Sequence, residues 1–148
     1  MQAPTEPVVC QVHVAARPET VFSYFTDPSR MVRWKGATAR LDPQPGGEYF
    51  CDMEDGVIME GRYLELDPFK RIVFSFGWRG HPVVSPGSTR VEVLFEPSEG
   101  GTLVTLRHHD LPADEHDLHR GGWTFYLERL IVAAAGGDPG PHVKPKVG

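Results

Sequence analysis

DEHDLHRGGWTFYLERLIVAAA, residues 114–135, is the stretch whose periodicity decides the fold. Leu118, Trp123, Tyr126, Leu127, Leu130, Ile131 and Ala134 recur at helical spacing and form one apolar stripe, with Glu128, Arg129 and the early acids turned to water. Gly136-Gly137-Asp138-Pro139-Gly140-Pro141 cannot continue a helix. The helix therefore stops there, and residues 136–148, ending Lys144-Pro145-Lys146-Val147-Gly148, read as a flexible tail behind a domain of residues 1–135.

Upstream of the helix the period changes to two. Between residues 37 and 110 the punctuation is Gly, Pro and Asp, and the runs between are short, β-branched or aromatic. Strands are predicted near residues 37–41, 48–52, 57–66, 71–78, 90–96 and 103–108. Pro45-Gly46-Gly47, Glu54-Asp55-Gly56, Asp67-Pro68, the 80–88 loop and Ser98-Glu99-Gly100-Gly101 divide them, and such short links imply antiparallel neighbours. Further upstream, Val8-Val9-Cys10-Gln11-Val12-His13-Val14 reads as a first strand. Two short helices follow: Pro18 and Glu19 open one that carries Val21, Phe22, Tyr24 and Phe25, and Asp27 caps another that begins at Pro28 and carries Met31, Val32 and Trp34. The order is β-α-α-β6-α, an α+β domain.

One helix of about twenty residues cannot cover a flat sheet of six or seven strands, so the sheet must curl around it. Strand alternation turns Ile72, Phe74, Phe76 and Trp78 toward the helix, together with Val91, Val93 and Phe95 and with Val104, Leu106 and His108. Arg90, Glu92, Arg107 and His109 face away. The predicted lining of a cavity between sheet and helix is Trp34, Ile72, Phe74, Phe76, Trp78, Val93, Phe95, Leu106, His108, Trp123, Tyr126, Leu127 and Leu130. Gly121-Gly122 interrupts the helical stripe at about 1 kcal/mol per glycine relative to alanine. The missing side chains either open a mouth to the cavity or allow close backbone packing on a strand.

The chain has 148 residues, 40% of them hydrophobic and 24% charged, as one globular domain should. A net charge of −5 with no basic run argues against nucleic acid and anionic membranes. No apolar run is long enough to span a bilayer, and Met1 to Pro7 lacks the features of a secretion signal, so a cytoplasmic protein is expected. Cys10 and Cys51 then read as reduced thiols.

Neither a nucleophile elbow nor a phosphate loop occurs, and no cysteine sits beside a plausible base. His108, His109, His116 and His119 fall near Asp110 and Asp114, but without metal-site spacing they read as a solvated helix start. No catalytic residue, metal or cofactor is expected. His108 stands apart because it turns inward, where it either contacts a ligand or is satisfied by neighbouring groups. Glu60, Arg62 and Tyr63 are further polar groups near the cavity, and Gly61 can mark a bulge that changes which of them points in.

Arg17-Pro18-Glu19-Thr20-Val21-Phe22, Trp34, Pro45-Gly46-Gly47, Gly61 with Leu64-Glu65-Leu66-Asp67-Pro68, Arg71-Ile72-Val73-Phe74, Gly101-Thr102 and the stretch from Gly122-Trp123 to Leu130 follow one another in a familiar order over residues 8–134. Together they resemble the START-like (SRPBCC) superfamily, in the branch similar to the C-terminal domain of the activator of the heat-shock protein 90 ATPase. The resemblance implies a helix-grip fold with a cavity between the sheet and the last helix. Members of the superfamily bind lipids, sterols, polyketides and plant hormones, so the expected partner is a small apolar or aromatic molecule. Two alternatives stand beside it: a cyclase, dehydratase or hydrolase using His108 with Tyr126 or a nearby acid, and a stress-related module that contacts a chaperone. An exposed sheet edge would also permit a homodimer.

Overall fold

The computed structural model describes residues 6–54 and 56–140. Short turns join successive strands, and β1 (Val8–Val14), β2 (Thr38–Leu41), β3 (Glu48–Asp52), β4 (Ile58–Asp67), β5 (Arg71–Phe76), β6 (Thr89–Ser98) and β7 (Gly101–His109) make one antiparallel sheet. Its spatial order is β1-β7-β6-β5-β4-β3-β2. Two short helices, α1 (Pro18–Ser23) and α2 (Pro28–Met31), join β1 to β2, and a 3₁₀ turn at Ala113–Glu115 leads into α3 (His116–Ala134). This is the predicted helix-grip arrangement, and each strand lies within two residues of its expected place.

Local chemistry sets the helix ends. Pro18 and Pro28 occupy first turns, where a missing N–H costs nothing, and Asp27 accepts a hydrogen bond from the Ser29 amide at 2.9 Å. At the end of α3, Gly136 adopts φ +90° and donates to the Ala133 carbonyl, while Gly137 donates to Val132. That paired return of amides to the last turn is a Schellman stop.

The concave face buries Ile72, Phe74, Phe76, Val91, Val93, Phe95, Val104, Leu106 and His108 beneath Trp123, Leu127 and Leu130 of α3. On the opposite face Glu92 gathers Arg71 at 2.9 Å, Arg107 at 3.4 Å and His109 at 3.6 Å, so the expected outward residues meet one another. The register of β4 shifts between Tyr63 and Glu65, which turns Tyr63 into the core to donate to the Phe25 carbonyl at 2.6 Å. Glu60 pairs with Arg79, and Arg62 donates to the Gly46 carbonyl at the surface. Gly61 is required because a Cβ there would collide with the Ser75 carbonyl.

Two positions on α3 differ from the sequence expectation. Leu118 is 42% exposed and His119 is buried in its place, because Trp123 sets the phase of the stripe and the residue one turn before it is His119. Arg129 is only 8% exposed rather than facing water. Its Nε donates to the Trp34 carbonyl at 3.0 Å, and its terminal nitrogens reach Pro139 O at 3.3 Å and Gly140 O at 3.2 Å. Residues 136–140 are thereby tied to α3, whereas residues 141–148 of the predicted tail lie outside the described residues.

Arg129→Ala leaves several carbonyls without a charged donor, and urea unfolding should show a loss of about 2–3 kcal/mol, against the few tenths typical of a solvated surface position. Arg129→Lys should recover only part, since one ammonium cannot reproduce the planar fork.

Candidate functional site

A cleft of about 650 Å³ opens where the first turns of α3 rise away from the sheet. Its walls are Gly56, Val57 and Ile58 entering β4, Phe76 with Trp78 to Pro82 at and beyond the end of β5, and side chains of the first half of α3, among them His119, Trp123 and Tyr126, with Glu115 just before it. Lys35, just after α2, lies on the same surface. The loop wall is held in place from within. His81 Nδ1 accepts the Val83 and Val84 amides at 3.1 and 2.8 Å, Val84 is fully buried, and the Trp78 amide donates to the Val84 carbonyl at 2.8 Å.

Gly121 and Gly122 both face this space, and a Cβ added at either would meet nothing within 4 Å. Close packing on a strand is therefore not why they are glycine. Their missing side chains widen the cleft.

Four of the predicted lining residues, Phe76, Trp78, Trp123 and Tyr126, do line it. Trp34, Ile72, Phe74, Val93, Phe95, Leu106, His108, Leu127 and Leu130 are buried in the core behind that wall, because the sheet closes tightly on α3 everywhere except at its first turns. A smaller, mainly polar hollow of about 250 Å³ lies elsewhere, between β3, β4 and residues 86–87.

Two tryptophan–histidine pairs stand between core and cleft. Trp123 Nε1 donates to His108 Nδ1 at 3.0 Å, which leaves the proton of the neutral ring on Nε2. That nitrogen donates to Thr89 Oγ1 at 2.9 Å, and Thr89 donates in turn to the Phe76 carbonyl at 2.7 Å. Both ring nitrogens are consumed. Burial, reinforced by His119 and Lys35, pushes the His108 pKa down to about 2, so it neither contacts a ligand through nitrogen nor shuttles a proton in this arrangement. His119 repeats the pattern: Nε2 accepts from Trp78 Nε1 at 3.1 Å and Nδ1 donates to the Glu115 carbonyl at 2.9 Å. Burial lowers its pKa too. Among the described residues, no group of three or more His, Cys, Asp or Glu side chains is placed to hold a metal, and both cysteines are free thiols.

Lys35 is a cleft residue that sequence reasoning did not single out. The residue is 2% exposed, and its Nζ has no hydrogen-bond partner among the described residues. It sits over three rings, 4.9 Å from the centroid of Trp123, 5.6 Å from Tyr49 and 5.7 Å from Phe76. Burial lowers its pKa below the ordinary lysine value, and the Cys51 thiol acts in the opposite direction. The backbone is clamped on both sides: Arg129 binds the Trp34 carbonyl, the Cys51 thiol donates to the Lys35 carbonyl at 3.5 Å, and Gly36 turns the chain at φ +85°. Lys35 lies one helical turn beyond the buried Met31, and its amide donates to the Met31 carbonyl at 2.8 Å, features that only the folded chain displays.

A curved antiparallel sheet gripping a C-terminal helix, with a cleft at one end of their interface, defines a START-like helix-grip protein. Within that class, the chain belongs to the family described as Activator of Hsp90 ATPase homolog 1-like protein, which matches residues 15–135. The solution structure of an AHSA1-like protein from Rhizobium etli is 39% identical, with a TM-score of 0.73 over 99% of this chain and 95% of that one. DynU16, from the dynemicin biosynthetic locus, shares the fold at a TM-score of 0.80 and 24% identity, over 92% of this chain and 49% of its own. The human Activator of 90 kDa heat shock protein ATPase homolog 1 is 24% identical over 131 residues, 88% of this chain. The chain spans 37% of that relative's length.

The neutral, saturated His108 has a measurable consequence. Between its folded pKa of about 2 and the ordinary 6.5, the unfolded chain takes up a proton that the folded chain refuses. The stability due to neutral His108 is complete above pH 6.5 and falls below it by about 1.4 kcal/mol per pH unit. Denaturant unfolding at pH 7 and pH 5 should show this loss, and His108→Gln, which does not titrate, should flatten the slope by one proton's worth.

Proposed function

We propose that the protein binds a small, mainly apolar or aromatic molecule in the cleft between the loop after β5 and the start of α3. The observation that carries it is the cleft itself: about 650 Å³ lined by Val57, Ile58, Phe76, Trp78, Pro82, Leu118, Trp123, Phe125 and Tyr126, with few polar groups among them. That size and lining are typical of small-molecule sites. A water-exposed apolar surface of this extent is costly unless something covers it. The likeness to DynU16, a protein of a biosynthetic locus, supports the same class of role.

A second reading is an interaction module for a chaperone of the heat-shock protein 90 class, acting as a monomer or a dimer. The relation to the human activator favours it, as does the fold shared at a TM-score of 0.79 with the Aha1 dimer of Colwellia psychrerythraea, 16% identical over 90% of this chain and 98% of that one. The two readings make opposite demands on the cleft, which need not be occupied for the second. An acid–base enzyme built on His108 is disfavoured, because both its ring nitrogens are engaged.

Native mass spectrometry of the purified protein should show excess mass that disappears on denaturation. Gly121→Ala/Gly122→Ala provides an internal control. The added methyls meet no atom, so α3 should gain up to about 1 kcal/mol per position while the narrowed cleft retains less of the ligand. Bare protein, with no thermal shift across an apolar and aromatic library, would turn the assignment toward the chaperone module.

A further inference from the structure

The cleft is mainly apolar; among its charged side chains Arg79 and Asp117 each have an ion-pair partner and Glu115 lies beside His119, whereas Lys35 has no such partner and is in a position that folding alone does not favour. An ammonium withdrawn from water needs a counter-charge and hydrogen-bond acceptors, and a methionine of similar shape would fill the same space without that demand. The described residues supply Nζ with no acceptor. What it supplies is three aromatic faces, those of Trp123, Tyr49 and Phe76, which soften the charge without accepting its protons. The acids of the cleft are not its partners. Glu115 and Asp117 lie on the α3 wall, Glu115 within 3.6 Å of His119 and Asp117 within 3.3 Å of Arg120, and neither is among the groups that shift Lys35. The other basic side chain of the cleft, Arg79, is engaged by Glu60. Lys35 is thus a buried amine at the wall of the cleft, with no acceptor for its Nζ among the described residues.

Resting on the small-molecule role proposed above, we propose that Lys35 anchors the carboxylate of an apolar organic acid whose body lies along Trp78, Trp123 and Tyr126. One ammonium matches one monoanion. A phosphate dianion would leave charge uncompensated among the rings, and a neutral ligand could offer a hydrogen-bond acceptor but no counter-charge. The anchor also gives orientation: the acid group goes inward toward Lys35, and the apolar body runs outward past Gly121 and Gly122.

The test compares 6-phenylhexanoate with 6-phenylhexan-1-ol at one pH, titrated against the full chain by calorimetry and by the fluorescence of the cleft tryptophans. The acid should bind at least about tenfold more tightly than the alcohol to the native protein. Lys35→Met should erase that preference, hold the alcohol within about threefold of its native affinity and, without ligand, melt several degrees higher because the buried amine without an acceptor is gone. Lys35→Gln, uncharged but polar, should erase the preference as well, so the result does not depend on one variant folding. If the native protein binds the alcohol as well as the acid, the anchor is wrong while the binding role stands. A preference that survives in Lys35→Met would also overturn it, placing the charge recognition elsewhere. If neither probe binds, the binding role fails and the anchor with it.

Discussion

The indole N–H of Trp123 donates to His108 across the interface between α3 and the sheet, and the arrangement of the rest follows from that bond. His108 belongs to β7, Thr89 to β6 and Phe76 to β5, three adjacent strands, so the hydrogen-bond chain that begins on α3 runs across the floor of the grip. Every donor and acceptor in it is used, within a core of otherwise apolar side chains. A saturated network in such surroundings is rigid, because breaking any one bond strands a polar group away from water. The helix is therefore held at a defined depth and rotation.

With the middle of α3 pinned, its two ends behave differently. The C-terminal half is drawn down by Arg129 on the Trp34 carbonyl and by Tyr24 donating to the Ala133 carbonyl at 3.1 Å. Near its start the helix is tied to the sheet side through His119, which accepts from Trp78, and Gly121 and Gly122 beyond Arg120 have no side chains to fill the space below. Sheet curvature, a pinned helix and a glycine pair together produce an opening at one end of an otherwise dense interface.

Such a fold hosts many roles, and what distinguishes one member from another is the chemistry grafted onto this opening. Here that chemistry consists of aromatic walls, a His119 whose two ring nitrogens are engaged and which lies beside Glu115, charged side chains with ion-pair partners in Arg79 and Asp117, and one buried lysine. Stability would be served better by an apolar residue at position 35, and a group that weakens the fold while facing a cleft is the pattern expected where stability is traded for binding. The activity of the much longer human activator does not transfer with the fold, since this chain spans 37% of it.

Much of the architecture was legible in the sequence. Period-two runs broken by Gly, Pro and Asp located every strand, the 3.6-residue stripe located α3, and the mismatch between one helix and seven strands demanded curvature. Those features are local, because side-chain direction in a strand or helix follows from backbone geometry alone. The cleft was legible only in part. Alternation correctly turned His108 inward, but whether an inward residue faces a void or another side chain depends on how far the helix stands off the sheet, which no local pattern encodes. The same reason hid Arg129 and Lys35. Both look like solvated charges in sequence, and only the tertiary structure, by bringing Trp34, the start of α3 and the end of β5 around them, withdraws them from water.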